Sequence, residues 1–382
     1  MIQLLLAIIY LAFISLGLPD SLLGSAWPSM YGSFGVPVSY AGIISMIIAA
    51  GTIVSSLQSD RLTRKLGAGK VTAISVGMTA FALFGFSVCS AFWMLCLWAI
   101  PYGLGAGSVD AALNNYVALH FKSRHMSWLH CMWGVGSSVG PYIMSFALTN
   151  GQGWNMGYRY IAILQVVLTA ILILSLPLWK MQSDPSEAQH TSTAGGKALS
   201  LREVIRIPGA KEVMLTFFCY CAIEQTAGLW GSSYLVLHEG VTETEAASLT
   251  SLFYIGITAG RAVSGFLTMA LNDIKMVRLG EMLILSGLAM ILLPLPPLSV
   301  EIGLILVGLG CAPIYPSIIH ATPSRFGADR SQAVIRYRHP DGQRLCRNLP
   351  HAAVVRMDRP ACRHFPVPAL SSSFASADVL YA

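Results

Sequence analysis

The chain has 382 residues, of which 54% are hydrophobic and only 11% are charged. Apolar runs of about 20 residues recur along it, the length that a helix needs to cross ~30 Å of hydrocarbon, whereas a β-barrel would show shorter segments of alternating polarity. The composition therefore predicts an all-α membrane protein with many spans. The formal net charge of +6 does not require a nucleic-acid partner, because basic residues concentrated in cytoplasmic loops give the same sum.

Ten apolar spans are predicted, in chain order at residues 2–30, 38–57, 71–90, 92–121, 127–148, 160–179, 213–237, 246–271, 279–293 and 300–319. Basic residues recur in every second connection, whereas the alternate connections carry Glu239, Glu243, Glu245 and Glu301. By the positive-inside rule the basic connections are cytoplasmic. We therefore expect the N-terminus on the cytoplasmic side of a bacterial cytoplasmic (inner) membrane.

The ten spans fall into two groups. Residues 1–179 predict a six-helix bundle, residues 180–210 a polar cytoplasmic linker with a short interfacial helix, and residues 211–330 a second bundle of four helices. AGTIVSS at residues 50–56 resembles AGRAVSG at residues 259–265, six spans later and in the same orientation. Such an offset is typical of the parallel repeats of transporter halves.

Two acidic residues occupy corresponding places in the first and seventh spans. Asp20 lies in the stretch GLPDSLLGSAWP and precedes Gly24 by four residues, as Glu224 precedes Gly228. A charged carboxylate at the membrane centre costs several kcal/mol unless it faces a wet or paired site. We therefore expect both carboxylates to face the bundle interior and to be protonated reversibly. Trp27 is expected on nearly the same helix face as Asp20.

Other polar residues within the spans predict a solute site. Asp110 and Asn114 lie one helical turn apart, and Arg261 in the eighth span is the base placed to pair with Glu224. Acids, an amide and an indole together offer hydrogen bonds for hydroxyl groups and a flat apolar face for a sugar ring. The alternative is that these pairs only lock helices together and that Trp133 only packs.

SLQSDRLTRKLG at residues 56–67 resembles the signature of the major facilitator superfamily between its second and third helices. Asp60, Arg61, Arg64 and Lys65 stand at the expected positions of that signature. The resemblance implies a cytoplasmic gate, in which these side chains form ion pairs that break when the cytoplasmic side opens. The alternative is a solvated loop that only obeys the positive-inside rule.

PDSLL at residues 19–23 and SVDAALNN at residues 108–115 resemble motifs of the fucose, galactose and hexose proton symporters, although Asp110 stands where glutamate is usual. The resemblance implies the major facilitator-type two-bundle fold and proton-coupled uptake of a sugar or similar small polar solute by alternating access. Proton coupling is expected at Asp20, Asp110 and Glu224. The expected solute-binding residues are Asn114, Trp27, Trp133, Gln225, Trp230 and Arg261.

The expected partners are the solute, protons and the lipid bilayer, with the chain a monomer that binds no nucleic acid. We expect no metal and no cofactor, because the eight cysteines lack paired metal-ligand spacing. No nucleophile–base pair, metal cluster or phosphate loop suggests an enzyme. An exporter of drugs or metabolites with the same fold remains an alternative.

The sequence changes character after Arg330. Residues 331–382 contain seven arginines, no lysine, repeated prolines and no run that could span a bilayer, whereas the family resemblance implies two further helices. This basic, non-membrane tail predicts translation in a shifted reading frame from near Ile335, which would leave a truncated bundle and a non-functional remnant. The alternative is a genuine basic tail on a ten-helix protein.

Overall fold

The computed structural model describes residues 2–121, 123–180, 207–267, 271–293, 296 and 298–326, and within these ranges the chain forms α-helices and two short 3-10 turns without any strand. The predicted interfacial helix of the linker and the predicted tail at residues 331–382 lie outside the described residues. Helical structure is what a chain in hydrocarbon requires, because every backbone polar group must find its partner internally.

Twelve α-helices occur in the part of the chain that the structure describes. They are α1 (Ile2–Asp20), α2 (Leu22–Met30), α3 (Ala41–Leu66), α4 (Ala68–Ser87), α5 (Phe92–His120), α6 (Ser123–Thr149), α7 (Gly153–Leu174), α8 (Leu176–Lys180), α9 (Ala210–Leu237), α10 (Glu243–Leu267), α11 (Asp273–Leu292) and α12 (Leu298–Phe326).

Each predicted span overlaps a helix, the first of them the pair α1 and α2 and the sixth the pair α7 and α8. Within the described residues, six helical stretches are long and apolar enough to cross a membrane by length and composition, namely Gln3–Met30, Val38–Ser59, Ala68–Ser87, Phe92–Val117, Gly153–Leu174 and Leu298–Ile318. The helices α6, α9, α10 and α11 have 20 to 28 residues but contain more polar side chains.

The predicted loop after the second span is wrong. Helix α3 continues to Leu66, so Arg61, Arg64 and Lys65 lie on its last turns and are exposed there. Gly67 ends this helix at a φ of 82°, a conformation that glycine adopts without strain, and α4 begins at the next residue. Basic side chains in the last turn also suit the negative end of the helix dipole.

The first span is interrupted where Pro19 removes a backbone donor. Proline has no N–H, so the carbonyl of Ser15 loses its partner one turn later. The side-chain amide of Gln165 in α7 donates a hydrogen bond to this carbonyl. Helix α1 ends at Asp20 and α2 begins at Leu22. The carboxylate of Asp20 therefore lies at a break between two helices, and α7 satisfies the Ser15 carbonyl that Pro19 leaves without a donor.

Small residues let the helices approach closely, both within and between the two parts of the chain. We call α1–α8 the first half and α9–α12 the second half. A Cβ atom at Gly136 would overlap the carbonyl oxygen of Ile14 in α1, and one at Gly24 in α2 would overlap the carbonyl oxygen of Gly228 in α9. Packing of this type replaces the hydrophobic driving force that lipid cannot provide between helices.

The halves contact each other through α2, which packs against both α9 and α10, and through α6, which packs against α10. We call the end of the bundle with Arg61, Arg64 and Lys65 the basic end, and the end with Glu239, Glu243 and Glu245 the acidic end. Towards the acidic end, the hydroxyl of Ser232 donates to the carbonyl of Ser25 at 3.4 Å. The hydroxyl of Ser145 donates to the carbonyl of Thr244 at 2.9 Å. The acidic end is therefore closed between the halves at these positions.

Candidate functional site

Asp20 lies at the break between α1 and α2 and is exposed, although residues 18, 19, 21 and 22 around it are buried. Its two carboxylate oxygens accept hydrogen bonds from different helices. The Tyr102 hydroxyl of α5 donates to Oδ1 at 2.9 Å, and the Trp133 indole N–H of α6 donates to Oδ2 at 2.8 Å. Because these donors reach it from within the bundle, Asp20 faces an opening in the interior rather than lipid.

Tyr102 was not among the residues predicted from the sequence. Its side chain is 4% exposed, and its hydroxyl is committed to Asp20, 82 residues earlier in the chain. The sequence does show a tyrosine inside an apolar span, directly after Pro101. A buried tyrosine hydroxyl requires a hydrogen-bond partner, so its position indicates a polar contact within the bundle. Sequence alone could not identify that partner.

Trp133 joins the Asp20 region to the second half of the chain. While its indole N–H binds Asp20, the guanidinium of Arg261 in α10 lies 4.8 Å from the centre of its ring. This distance and a position over the ring are typical of a cation–π contact. Tyr254, also in α10, packs edge-on against the same ring at 6.4 Å between centroids.

Arg261 and Glu224 form the predicted pair in the second half. Arg261 Nη2 lies 3.9 Å from Glu224 Oε1, and the two side chains are only 13% and 16% exposed. This separation is longer than a hydrogen bond. Arg261 Nη1 meanwhile donates to the backbone carbonyl of His130 in α6 at 3.3 Å. The guanidinium is therefore shared between a carboxylate of its own half and two groups of the first half.

These contacts form a continuous chain from Asp20 through Trp133 and Arg261 to Glu224. It contains two carboxylates and one guanidinium, so a proton or a cationic group would balance the charge of these three side chains. Four of the residues predicted for coupling or solute binding thus meet in one place, between the two halves.

The pair of Asp110 and Asn114 lies apart from this chain of contacts. Asn114 Nδ2 donates to Asp110 Oδ1 at 3.0 Å along one face of α5. The amide oxygen of Asn114 is buried without a hydrogen-bond partner. Asp110 lies eight residues after Tyr102, about 12 Å further along α5 towards the basic end. The structure therefore puts the two predicted proton sites of the first half at different depths.

The remaining predicted solute residues lie elsewhere. Trp27 is completely buried in the core of the first half, where its indole N–H donates to the carbonyl of Val38 at 2.6 Å. Gln225 is exposed on α9, next to Glu224, and Trp230 is half-buried with its ring 3.7 Å from the Cβ position of Gly42. Trp27 therefore does not share the surroundings of Asp20.

Among the predicted gate residues, Arg61, Arg64 and Lys65 are exposed at the basic end, and the side chain of Asp60 lies outside the described residues. The structure describes no group of three or more histidine, cysteine or acidic side chains that could hold a metal ion within the residues it covers.

Comparison with known proteins gives matches over most of the chain. Residues 9–336 match the Major Facilitator Superfamily. Bypass of stop codon protein 6 from Saccharomyces cerevisiae (strain ATCC 204508 / S288c) is 22% identical over 278 residues, which are 67% of this chain and 55% of the relative. The chain thus spans about half the length of that curated relative.

Solved structures of transporters share the fold. A D-xylose-proton symporter superposes with a TM-score of 0.71 at 12% identity, covering 91% of this chain and 88% of that chain. A mutant of the nucleoside transporter NupG gives 0.68 at 13% identity, covering 89% and 88%. A bacterial homologue of the human lysosomal transporter Spinster gives 0.63 at 14% identity, covering 90% and 80%.

The family match and the shared fold agree with the two groups of helices and with the polar cluster between them. Members of this family move small solutes across membranes and are not enzymes. The chain therefore belongs to the Major Facilitator Superfamily and is a multi-pass membrane protein.

Proposed function

We propose that this transporter takes up a sugar or a similar small polar solute together with protons, by alternating access. The observation that carries the proposal is the position of Asp20, which is exposed at a helix break inside the bundle and bonded to Tyr102 and Trp133. Both of these donors are neutral, so adding a proton to Asp20 removes one negative charge from the interior. Reorienting the halves with that charge neutralised avoids much of the cost of moving a carboxylate through hydrocarbon.

The proposed cycle begins with protonation of Asp20 from the outside, followed by solute binding and reorientation of the halves. Release of the proton inside then resets the carrier. Each inward proton contributes about 2.3 kcal/mol per 100 mV of membrane potential, which drives accumulation of the solute. The further proposed coupling groups are Asp110, which lies nearer the basic end on α5, and Glu224 in the second half.

A polyhydroxylated ring suits the groups between the halves. The indole of Trp133 offers an apolar face, while Arg261 and the exposed amide of Gln225 offer donors to hydroxyl groups. The D-xylose-proton symporter of the same fold is named for a sugar and a proton, which supports the proposal. Asn114, Trp27 and Trp230 belong to the proposed set of solute-binding residues on the basis of the sequence alone.

The remaining parts of the proposal concern orientation and assembly. The basic end is proposed to face the cytoplasm of a bacterial cell, with the N-terminus inside, because Arg61, Arg64 and Lys65 gather there. These residues with Asp60 are the proposed cytoplasmic gate. The chain is proposed to act as a monomer, since each half already packs against the other around the polar cluster.

Proton movement on addition of solute tests the proposal directly. Cells that express the chain are suspended in weakly buffered medium with a pH electrode, and fucose, galactose, glucose, xylose or a nucleoside is added. The proposal expects the medium to become alkaline with one or a few of these solutes and with no other. Alkalinisation by none of them, together with energy-dependent efflux of apolar compounds, would favour the exporter instead.

A further inference from the structure

We infer that Trp133 transmits the charge state of Asp20 in the first half to Arg261 in the second half. The inference rests on the proposed function in one respect, that Asp20 is the group that binds the proton. It assigns a role to Trp133, which neither accepts the proton nor carries a charge, yet contacts both Asp20 and Arg261.

The indole uses two different surfaces at the same time. Its N–H edge is bonded to Asp20 Oδ2 at 2.8 Å, and its face lies beneath the guanidinium of Arg261 at 4.8 Å. Tyr102, the other donor to Asp20, is buried within the first half. Trp133 is thus placed to sense both the carboxylate of one half and the cation of the other.

The two contacts of the indole strengthen each other. A cation over the ring draws electron density from it, which makes the N–H a better donor. A carboxylate that accepts this N–H returns density to the ring, which strengthens its attraction for the cation. The mutual support depends on the charge of Asp20, because hydrogen bonds to an ionised acceptor are roughly twice as strong as those between neutral groups.

Protonation of Asp20 therefore loosens the contact between Trp133 and Arg261. Glu224 is the competing partner, since its Oε1 lies 3.9 Å from Arg261 Nη2 and a movement of about 1 Å would make a direct hydrogen bond. The guanidinium then moves from the ring towards Glu224 within its own half. Because α6 and α10 form one of the contacts between the halves, this movement weakens an interface that has to rearrange during transport.

The charged and titratable groups around this link come from five helices. Tyr102 of α5 faces Asp20, and Tyr254 of α10 packs against the indole. Glu224 of α9 faces Arg261, and His130 of α6 binds it through its backbone carbonyl. Tyr220 of α9 interacts with both Glu224 and Arg261, and Tyr315 and Cys311 of α12 lie close enough to interact with Arg261. Among the contacts described, Asp20 is the group that touches the N–H edge of Trp133, so its protonation is the event that the indole reports.

The test measures how the halves respond to pH in purified, solute-free protein. Spin labels are attached at Ser90→Cys in the first half and Glu243→Cys in the second half, two exposed positions near the acidic end, after replacement of the eight native cysteines. Pulsed electron paramagnetic resonance then gives the distance distribution at mildly alkaline and mildly acidic pH. We expect the parent protein to lose its short-distance population as the pH falls.

Three variants and one control separate the possible outcomes. Trp133→Phe keeps an aromatic ring but removes the part of the indole that carries the N–H. We expect its distance distribution to be the same at both pH values, as for Asp20→Asn and Arg261→Gln. Trp128→Phe is the matched control, because it makes the same change on the lipid-exposed side of α6, and it should respond to pH as the parent does. Gel filtration verifies that each variant is folded.

The outcomes distinguish this inference from the proposed function. If Asp20→Asn abolishes the pH response and Trp133→Phe keeps it, Asp20 is the proton site and Trp133 is not the link. If Trp133→Phe abolishes the response and Arg261→Gln keeps it, the indole acts only within the first half, and the inference also fails. If Asp20→Asn responds to pH as the parent does, the failure lies with Asp20 as the proton site.

Discussion

Replacing Gly24 by alanine should force the halves apart at the acidic end. A Cβ atom at this position would overlap the carbonyl oxygen of Gly228 and lie 3.0 Å from its carbonyl carbon and 3.1 Å from the Cα of Leu229. All three atoms belong to the backbone of α9, so no side chain can turn away to make room. One of the helices has to move by about 1.5 Å before the contact becomes an ordinary van der Waals separation.

The size of the effect follows from the cost of overpacking. An additional methyl group in a well-packed interior costs about 1–3 kcal/mol. The cost applies only to the state in which α2 and α9 touch, so it changes the ratio of closed to open molecules at the acidic end by roughly 5- to 150-fold. If most parent molecules are closed at the acidic end, the Gly24→Ala variant should contain a measurable fraction of open molecules.

The spin-label pair at Ser90→Cys and Glu243→Cys measures this ratio. Gly24→Ala should shift the distance distribution towards longer distances, while Gly231→Ala on α9 should not, because a Cβ atom there meets nothing within 4 Å. An unchanged distribution in a folded Gly24→Ala variant would refute the reasoning, since the contact between α2 and α9 would then not hold the acidic end closed.

The remaining predictions concern the stability of the chain. Gln165→Leu leaves the carbonyl of Ser15 without its donor and should destabilise the protein by about 1–3 kcal/mol, measured as a lower melting temperature in detergent; an unchanged value would mean that water or a shift of α1 satisfies this carbonyl. Arg261→Met leaves Glu224 largely buried without its cation and should cost roughly 3 kcal/mol. Adding Glu224→Gln should recover part of this loss, and no recovery would indicate that Arg261 stabilises the fold through Trp133 alone.

The course of the chain through the membrane could be predicted from apolar runs, because hydrocarbon leaves helices as the only economical backbone structure here. The hydrogen bond that satisfies the Ser15 carbonyl freed by Pro19 could not be predicted, since its donor Gln165 lies 150 residues later in the chain. The sequence also did not predict that α3 extends beyond residue 57 to Leu66. Polar residues continue a helix into water without any hydropathy signal, until Gly67 ends it.

The sequence indicated which types of residue form the candidate site, but not which of their side chains contact each other. A carboxylate in an apolar span marks an interior position on energetic grounds, and this identified Asp20 and Glu224. A spacing of seven residues placed Trp27 beside Asp20, but Trp27 is buried in the core and donates to the carbonyl of Val38 instead. The partnership of Asp20 with Tyr102 depends on how α1 packs against α5, which no local pattern encodes.

The family match ends at residue 336, next to Ile335, where the sequence predicts a change of reading frame. Sequencing the gene across the codons for residues 331–335 tests this prediction. A single-base correction that restores two further apolar spans would support it. A confirmed sequence as printed would favour the basic tail.

The most direct test of proton coupling through Asp20 uses purified protein in liposomes with an imposed inward proton gradient. For a solute identified by the alkalinisation experiment, the parent protein should accumulate it above its external concentration. Asp20→Asn should at most bring the inside and outside concentrations to equality, because it binds no proton. Accumulation by Asp20→Asn equal to that of the parent would contradict the account.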